Sequence, residues 1–255
     1  MTKNRGICLV LCGSLLWGIS FYPGHALGAV LTDAEKYTIA FEAAELFRAA
    51  RAIIAKNQKL INDPGKGDKG LTADIVIREA KEVFRKTAGK ELPKPNQSTL
   101  DGQVRIAMLL AIRTVVDEAQ PSINESGKGF KGFLPAVFAA RVAGRFSRNM
   151  EGKAFIKLTA PMRYLRNRAN RPDKWEHRVI ESFFKDPDYP RDKAFAENFK
   201  HRGKQAYRLI LPEYYKEPCL ACHGGPRGEK DITGGRKEGG RLGELGGAIS
   251  FAIYD

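Results

Sequence analysis

A chain of 255 residues is long enough to bury one substantial core, and its 43 Lys and Arg against 29 Asp and Glu give a formal net charge of +14. Four cysteines in this length exclude a disulfide-dense scaffold. The basic charge favours acidic protein partners or an anionic membrane surface, and a basic surface without a function is the alternative.

The first residues have the composition of a secretory signal peptide. Lys3 and Arg5 precede an apolar run over residues 6–22, and the small residues Ala26 and Gly28 offer cleavage sites. We therefore predict a signal peptide over residues 1–28 and a periplasmic or otherwise exported protein, with an uncleaved membrane anchor as the alternative. Removal of the two basic residues lowers the formal charge from +14 to +12. Nucleic acid is not expected as a partner outside the cytoplasm.

Residues 29–150 have the periodicity of long helices. Thr32 and Glu35 form a capping box that begins a helix reaching Ile61, with an alanine-rich stripe along one side. We predict three further helices, and we find no internal repeat. They span Thr72 to Gly89, Gln103 to Gln120 with Pro121 as the stop, and about Pro135 to Arg148.

The pattern changes after Met150 to short runs typical of strands. We predict strands over Ala154–Thr159, Gln205–Leu211 and Ala248–Tyr254, with a helix near Asp173–Lys185. The predicted fold class is α+β, with long N-terminal helices followed by an antiparallel sheet. Residues 29–255 would form a single domain, helical to about residue 150 and carrying the sheet from about residue 151.

The segment Cys219-Leu220-Ala221-Cys222-His223 has the spacing for covalent c-type haem attachment. Each thiol adds to one vinyl group of the porphyrin, and the adjacent imidazole becomes an axial iron ligand. The sequence thus predicts one covalent haem c on Cys219, Cys222 and His223. A zinc site completed by His177 and His201, or a redox dithiol, are the alternatives.

The second axial position of the iron is not assigned by the sequence. An open or water-filled position is our expectation, because a lone His or Met on a helix more often serves packing or the surface. The side chains available as ligands are His177, His201, Met108, Met150 and Met162, with His177 and Met108 as weak candidates. An open iron would bind NO, CO or O₂, whereas His/Met ligation suits electron transfer.

Residues 166–176, RNRANRPDKWE, resemble the R-N-x-x-N-x-P-D-x-W-E signature of the PAS-like single c-type haem domain family, formerly a domain of unknown function. Glu217-Pro218, the segments 237–239 and 247–250, and Lys66–Thr72 add to the resemblance. It implies a PAS-like antiparallel sheet with long N-terminal helices, one covalent haem and a proximal His. Some members supply a distal Cys from the N-terminal helix, which this chain lacks after signal removal, and Arg168 replaces a frequent Pro.

The signature lies in a basic run whose simplest interpretation is a solvated face. The functional interpretation is that Arg166 or a neighbour pairs with the haem propionates, because Arg binds carboxylates through two nitrogens. Asn167 and Asn170 would hold the loop backbone through side-chain bonds, and Trp175 is expected in the core rather than in an electron path. With Arg166, these three residues complete the predicted haem-binding set. The ten glycines of Gly224–Gly247 indicate either a mobile flap over the haem edge or an ordinary long loop.

These patterns predict an exported monohaem c-type cytochrome that acts in one-electron transfer or redox sensing. A gas-binding haem sensor or carrier is the alternative. A peroxidase-type enzyme is the weaker, third hypothesis, because that chemistry needs a distal acid–base group and the sequence does not place one. The expected partners are an acidic redox protein or a small gas ligand. A homodimer is left open.

Overall fold

A layer of helices precedes a four-stranded sheet along the chain. The computed structural model describes residues 30–255, so the predicted signal peptide, with Cys8 and Cys12, lies outside the described residues. Residues Thr32–Asp255 form one compact unit. None of the helices described within residues 30–255 has both the length and the apolar composition needed to cross a bilayer.

Three of the helix ends lie where the capping patterns predict them. Thr32 and Glu35 form the capping box of the first helix, and the Thr72 hydroxyl accepts from the Ile75 N–H. Gly89, with φ of 68°, ends the following helix in the left-handed region. The helices are α1 (Asp33–Lys56), α2 (Gln58–Ile61), α3 (Ala73–Ala88), α4 (Leu100–Ile123) and α5 (Pro135–Asn149).

Several predicted boundaries are wrong. The first helix was expected to reach Ile61, but α1 ends at Lys56 and the separate turn α2 follows it. The third helix begins at Leu100 rather than at Gln103, and two of the predicted strands are longer than expected, over residues 206–214 and 245–254.

We expected Pro121 to stop the third helix at Gln120, yet α4 continues to Ile123. Proline fixes φ at a helical value, so the last turn continues once a single backbone hydrogen bond is lost. Asn124 then ends the helix by donating its N–H to the Gln120 carbonyl at 2.9 Å.

The sheet is antiparallel throughout, with strand order β1-β4-β3-β2. Its strands are β1 (Ala154–Thr159), β2 (Phe195–Asn198), β3 (Ala206–Tyr214) and β4 (Leu245–Tyr254), and the four-residue β2 was not predicted. Two short helices, α6 (Lys174–Val179) and α7 (Glu217–His223), lie between strands, and a π-helical turn, Ile180–Phe184, follows α6. The predicted α+β class is confirmed.

Both faces of the sheet are covered, because side chains alternate along each strand. Phe251 pairs in register with Leu209 and Ile156, and its ring lies 5.6 Å from Phe146 of α5, so this face packs on the helices. Ile210 and Ala248 point to the opposite face, where they join a smaller apolar cluster around Trp175. The alanine-rich side of α1 contacts α3, α4 and α5 as well as β3 and β4.

The residues Asp173, Trp175 and Glu176 of the signature build this second cluster. Asp173 and Glu176 form the capping box of α6, which turns Trp175 into the cluster. Arg208 of β3 is 1% exposed and lies over the indole at 4.1 Å, with ion pairs to Asp173 at 2.8 Å and Glu176 at 3.5 Å. Trp175 is therefore a core residue, as predicted.

Two loops in the helical layer share the spacing G-K-G-x-K-G, which corrects our finding of no repeat. Lys69 and Lys131 occupy the same place in residues 65–71 and 127–133, and both are buried. Each ammonium donates to backbone carbonyls of its own loop. The backbone N–H of Lys69 donates to Asn124 and that of Lys131 to Asn62, each at 2.9 Å. The two loops thus brace each other reciprocally.

Candidate functional site

The helix α7 presents the two thiols and the imidazole of the Cys-x-x-Cys-His segment on one short element. Cys219 and Cys222 are three positions apart, so they share one side of the helix, and His223 is its last residue. All three are half-buried. Position 224, at the end of α7, requires glycine because a Cβ there would lie 2.5 Å from the Leu220 carbonyl oxygen. The two thiols and the imidazole are therefore partly accessible to solvent, and the backbone turns tightly directly after them.

The imidazole of His223 is held by a carboxylate. Its Nδ1 lies 2.9 Å from Glu238 Oε2, and the other carboxylate oxygen accepts from Arg166 Nε at 2.5 Å. A carboxylate accepts hydrogen bonds, so the contact assigns the proton to Nδ1 and leaves the lone pair on Nε2. This is the outer-shell arrangement that orients metal-binding histidines.

The ring of Tyr215 fixes the imidazole from one side. The two rings stack with centroids 5.5 Å apart and an interplanar angle of 22°. A side chain at Gly240 or Gly246 would overlap the Tyr215 ring, so both glycines are required by close approach. Burial, followed by the nearby Glu238 charge, raises the pKa of Tyr215, so its hydroxyl stays protonated.

The glycine-rich segment after α7 forms a small hairpin rather than a featureless loop. Lys230 and Arg236 pair across it. The Gly228 N–H donates to the Lys237 carbonyl and the Lys237 N–H to the Glu229 carbonyl, each at 2.8 Å. Two further bonds attach the hairpin to α7, from Gly239 N to the Gly224 carbonyl at 3.0 Å and from Gly240 N to the His223 carbonyl at 2.7 Å. This docking is what brings Glu238 to His223.

Arg166 connects the signature to the Cys-x-x-Cys-His segment. Its Nη1 donates to Asp231 at 2.5 Å, and its Nη2 donates to the carbonyls of Cys222 at 2.6 Å and Arg236 at 3.0 Å. Burial would lower the pKa of Arg166, but the hydrogen bonds to Glu238 and Asp231 outweigh it and raise that pKa. The pairing of Arg166 with haem propionates stays a prediction, and its observed partners are these acids and carbonyls.

The acidic partner Asp231 lies in the turn of the hairpin with its side chain shielded from solvent. Burial opposes ionisation, but hydrogen bonds from Thr233 and Arg166 lower the pKa of Asp231 to about 2. For Cys222, burial and then the Asp231 charge raise the pKa of the thiol. Reactive redox cysteines have lowered pKa values, so this environment does not favour the redox-dithiol alternative.

The N-terminal helix also reaches this region. Arg48 and Arg51 of α1 form ion pairs with Glu213 at the end of β3, and the pair between Arg48 and Glu213 spans 2.5 Å. Burial and the Arg48 charge lower the pKa of Arg51 to about 10, and the Cys219 thiol acts in the opposite sense. Arg51 of α1 therefore lies close enough to Cys219 for the two side chains to interact electrostatically.

The candidates for a second iron ligand are spread over the molecule. Met108 and Met150 are buried in the helical layer, whereas Met162 is 42% exposed. His177 is exposed on α6, and His201 bonds through Nδ1 to the Tyr254 hydroxyl at 2.7 Å. Among residues 30–255, no group of three or more His, Cys, Asp or Glu side chains is arranged to hold a metal ion.

The remaining predicted residues have structural contacts in the loop after β1. The Asn167 side chain accepts from the Ala169 N–H at 2.9 Å, which is the backbone-holding role we predicted. The Asn170 carbonyl accepts from Thr159 Oγ1 at 3.1 Å. Trp175 donates from Nε1 to Glu197 at 2.6 Å. Their assignment to cofactor binding stays a prediction.

Sequence reasoning missed Glu238, Asp231 and Tyr215 as residues of this site. Glu238 appeared only as part of the resembling segment 237–239, and 15 positions separate it from His223. The glycines at 240 and 246 were the available signal, because glycine at such positions often marks the close approach of a bulky neighbour.

The fold and the site place this protein in the class of α+β domains that carry a Cys-x-x-Cys-His helix, here braced by a carboxylate. Comparison with known proteins gives the family. The model of the Tll0287-like family (Tll0287) matches residues 38–253, so the chain belongs to that family and the resemblance seen in the sequence is confirmed. Among solved structures, a crystal structure of the cyanobacterial haem protein Tll0287 is similar to this chain. The TM-score is 0.41 and the identity 17%, over 63% of this chain and 97% of that one. No curated protein sequence matches.

Proposed function

We propose that this chain is an exported cytochrome that carries one haem c, joined by thioether bonds to Cys219 and Cys222 with His223 Nε2 as an axial ligand. The observation that carries the proposal is the bond between His223 Nδ1 and Glu238, which leaves Nε2 free to bind iron at the end of the helix that bears both thiols. The donor set fits the group, since two half-buried thiols and one oriented imidazole are what haem c requires. The haem would supply a one-electron Fe(III)/Fe(II) couple.

The residues around α7 would each have a defined task in holding such a group. Glu238 and Tyr215 orient the imidazole, and Arg166 ties the carbonyl of Cys222 to the hairpin. The raised pKa of the Cys222 thiol favours its protonated form before attachment. The arrangement holds the proximal side, and we propose one-electron transfer or redox sensing as the role.

Haem staining of a denaturing gel tests covalent attachment. The full chain, produced by a host that attaches haem c in its periplasm, should stain at its own mass and give the pyridine spectrum of haem c. The double variant C219A/C222A should lose the stain. Met162→Leu is the matched control, because Met162 is an exposed ligand candidate outside the thioether chemistry and should keep the stain. Haem that still follows the double variant through the gel would refute the proposal.

Optical spectra of the reduced protein with and without CO test the role. A six-coordinate form that does not bind CO supports electron transfer, whereas a five-coordinate form that binds CO quickly supports gas binding instead.

The formal charge of +12 after removal of residues 1–28 supports an acidic redox partner. Binding to such a partner should weaken as salt is added.

Export is part of the same proposal, since haem c attachment takes place outside the cytoplasm of bacteria. Mass spectrometry of the protein from a periplasmic fraction should find an N-terminus just after Ala26 or Gly28. A chain that keeps residues 1–28 and sediments with membranes would support the uncleaved anchor instead.

A further inference from the structure

The carboxylate of Glu238 is placed to act on His223 more strongly than a backbone carbonyl would. It is only 11% exposed, and its two oxygens are divided between His223 Nδ1 at 2.9 Å and Arg166 Nε at 2.5 Å. A hydrogen bond to a charged acceptor is about twice as strong as a bond between neutral groups. It is also stronger where solvent is excluded, because the local dielectric constant is lower.

Glu238 cannot easily leave this position, because its partner Arg166 is itself anchored on two sides. One anchor is the Asp231 carboxylate at 2.5 Å, whose side chain is fully shielded, and the other is the Cys222 carbonyl of α7 at 2.6 Å. Every polar nitrogen of the guanidinium is therefore engaged. Two carboxylates, those of Glu238 and Asp231, therefore share this one guanidinium.

We infer that Glu238, held by Arg166, is a positioning residue that increases the electron donation of His223 to iron and lowers the reduction potential of the haem. A carboxylate that accepts the Nδ1 proton makes Nε2 more basic, and a more basic axial ligand stabilises Fe(III) over Fe(II). This inference rests on the proposed haem attachment, and it names Glu238 as the residue that sets the reduction potential.

Redox titration of the haem-loaded full chain, followed by its absorption spectrum, tests the inference. Glu238→Gln keeps a hydrogen-bond acceptor for His223 but removes the charge, and it should raise the Fe(II)/Fe(III) ratio at fixed potential by at least about tenfold, or about 59 mV for one electron. Glu229→Gln is the matched control. It removes the same charge from the same hairpin, where Glu229 is 51% exposed and paired with Lys237. Solvent should screen that change, so the ratio should move less than about threefold.

Glu238→Asp separates the hydrogen bond from the charge and covers a failure of the Gln variant to fold. It keeps the negative charge but draws the carboxylate back by one methylene, so the potential should rise although the net charge is unchanged. Equal shifts in the E238Q and E229Q variants, or an unchanged potential in E238D and E238Q, would overturn the inference. A wild-type chain without covalent haem would instead refute the proposed function, so the two failures are distinguishable.

Discussion

The ring of Tyr215 lies against the imidazole of His223, with centroids 5.5 Å apart, and it fills the space left by two glycines of the following segment. Tyr215 precedes α7 and the glycines follow it, so this contact closes the segment that carries the Cys-x-x-Cys-His sequence. The orientation of the proposed iron ligand thus depends on packing as well as on a hydrogen bond.

Removal of the Tyr215 ring should destabilise the protein and loosen His223. Tyr215 is 7% exposed, so Tyr215→Ala should cost about 3–5 kcal/mol of unfolding free energy, as for other buried aromatic residues. Tyr215→Phe keeps the stacked ring and should cost less than about 1 kcal/mol. Urea titration followed by circular dichroism measures both. Equal losses in the two variants would show that the hydroxyl, and not the ring, is the important part.

Positions 240 and 246 have room only for glycine, because the Tyr215 ring occupies the place of a Cβ. Gly240→Ala and Gly246→Ala should each push Tyr215 out of place and cost about 1–3 kcal/mol, the usual effect of overpacking. Gly225→Ala is the control in the same segment, since nothing lies within 4 Å of a Cβ built there. Urea midpoints provide the comparison. A Gly225 variant as unstable as the other two would point to backbone flexibility as the cause.

The buried ammonium groups of Lys69 and Lys131 should both stabilise the helical layer. Lys69→Met or Lys131→Met leaves backbone carbonyls without a donor in a buried loop, at a cost of about 1–3 kcal/mol each. Lys66→Met, at an exposed position of the first loop, should be within about 0.5 kcal/mol of the wild type. Burial and then the charge of Lys69 lower the pKa of Lys131, so the two ammonium groups interact and the double variant should deviate from additivity. Strict additivity in thermal or urea unfolding would contradict this interaction.

Acidification should destabilise the fold through His201. Burial, and then the charges of Arg208 and Arg202, lower the pKa of His201 from 6.5 to about 4. The unfolded chain therefore binds a proton that the folded chain does not, so stability falls as the pH falls from 6.5 towards 4. Between pH 7 and pH 5 the loss should be about 1–2 kcal/mol, reduced by solvent screening. His201→Gln should flatten this part of the urea-midpoint profile, and an unchanged slope would assign the loss to other groups.

The sequence predicts local features well because their causes are local. The Thr32 capping box, the Thr72 cap and the left-handed Gly89 each depend on residues within one turn, and all three are confirmed. Strand β1 begins and ends at the predicted residues because alternation and a following proline define it. Pro121 misled us because proline has a φ compatible with a helix, and only two further residues follow it in α4.

The site itself was predictable only in part. The Cys-x-x-Cys-His spacing marks α7 directly, but the partner of His223 is supplied by a hairpin whose fold depends on docking. Nothing in the residues around Glu238 distinguishes it from other acids of the segment. Arg166 was assigned to an external carboxylate, and its partners proved to include two carboxylates of the chain itself.

The short helix that bears both thiols has no fully buried residue and only seven residues in all. A helix of this length does not persist without support, so α7 depends on the hairpin and on Tyr215. It is therefore among the segments of the domain that open at the lowest free-energy cost, while the sheet and the helical layer remain folded. In the proposed attachment of haem c, opening of this segment would expose both thiols while the rest of the domain stays folded.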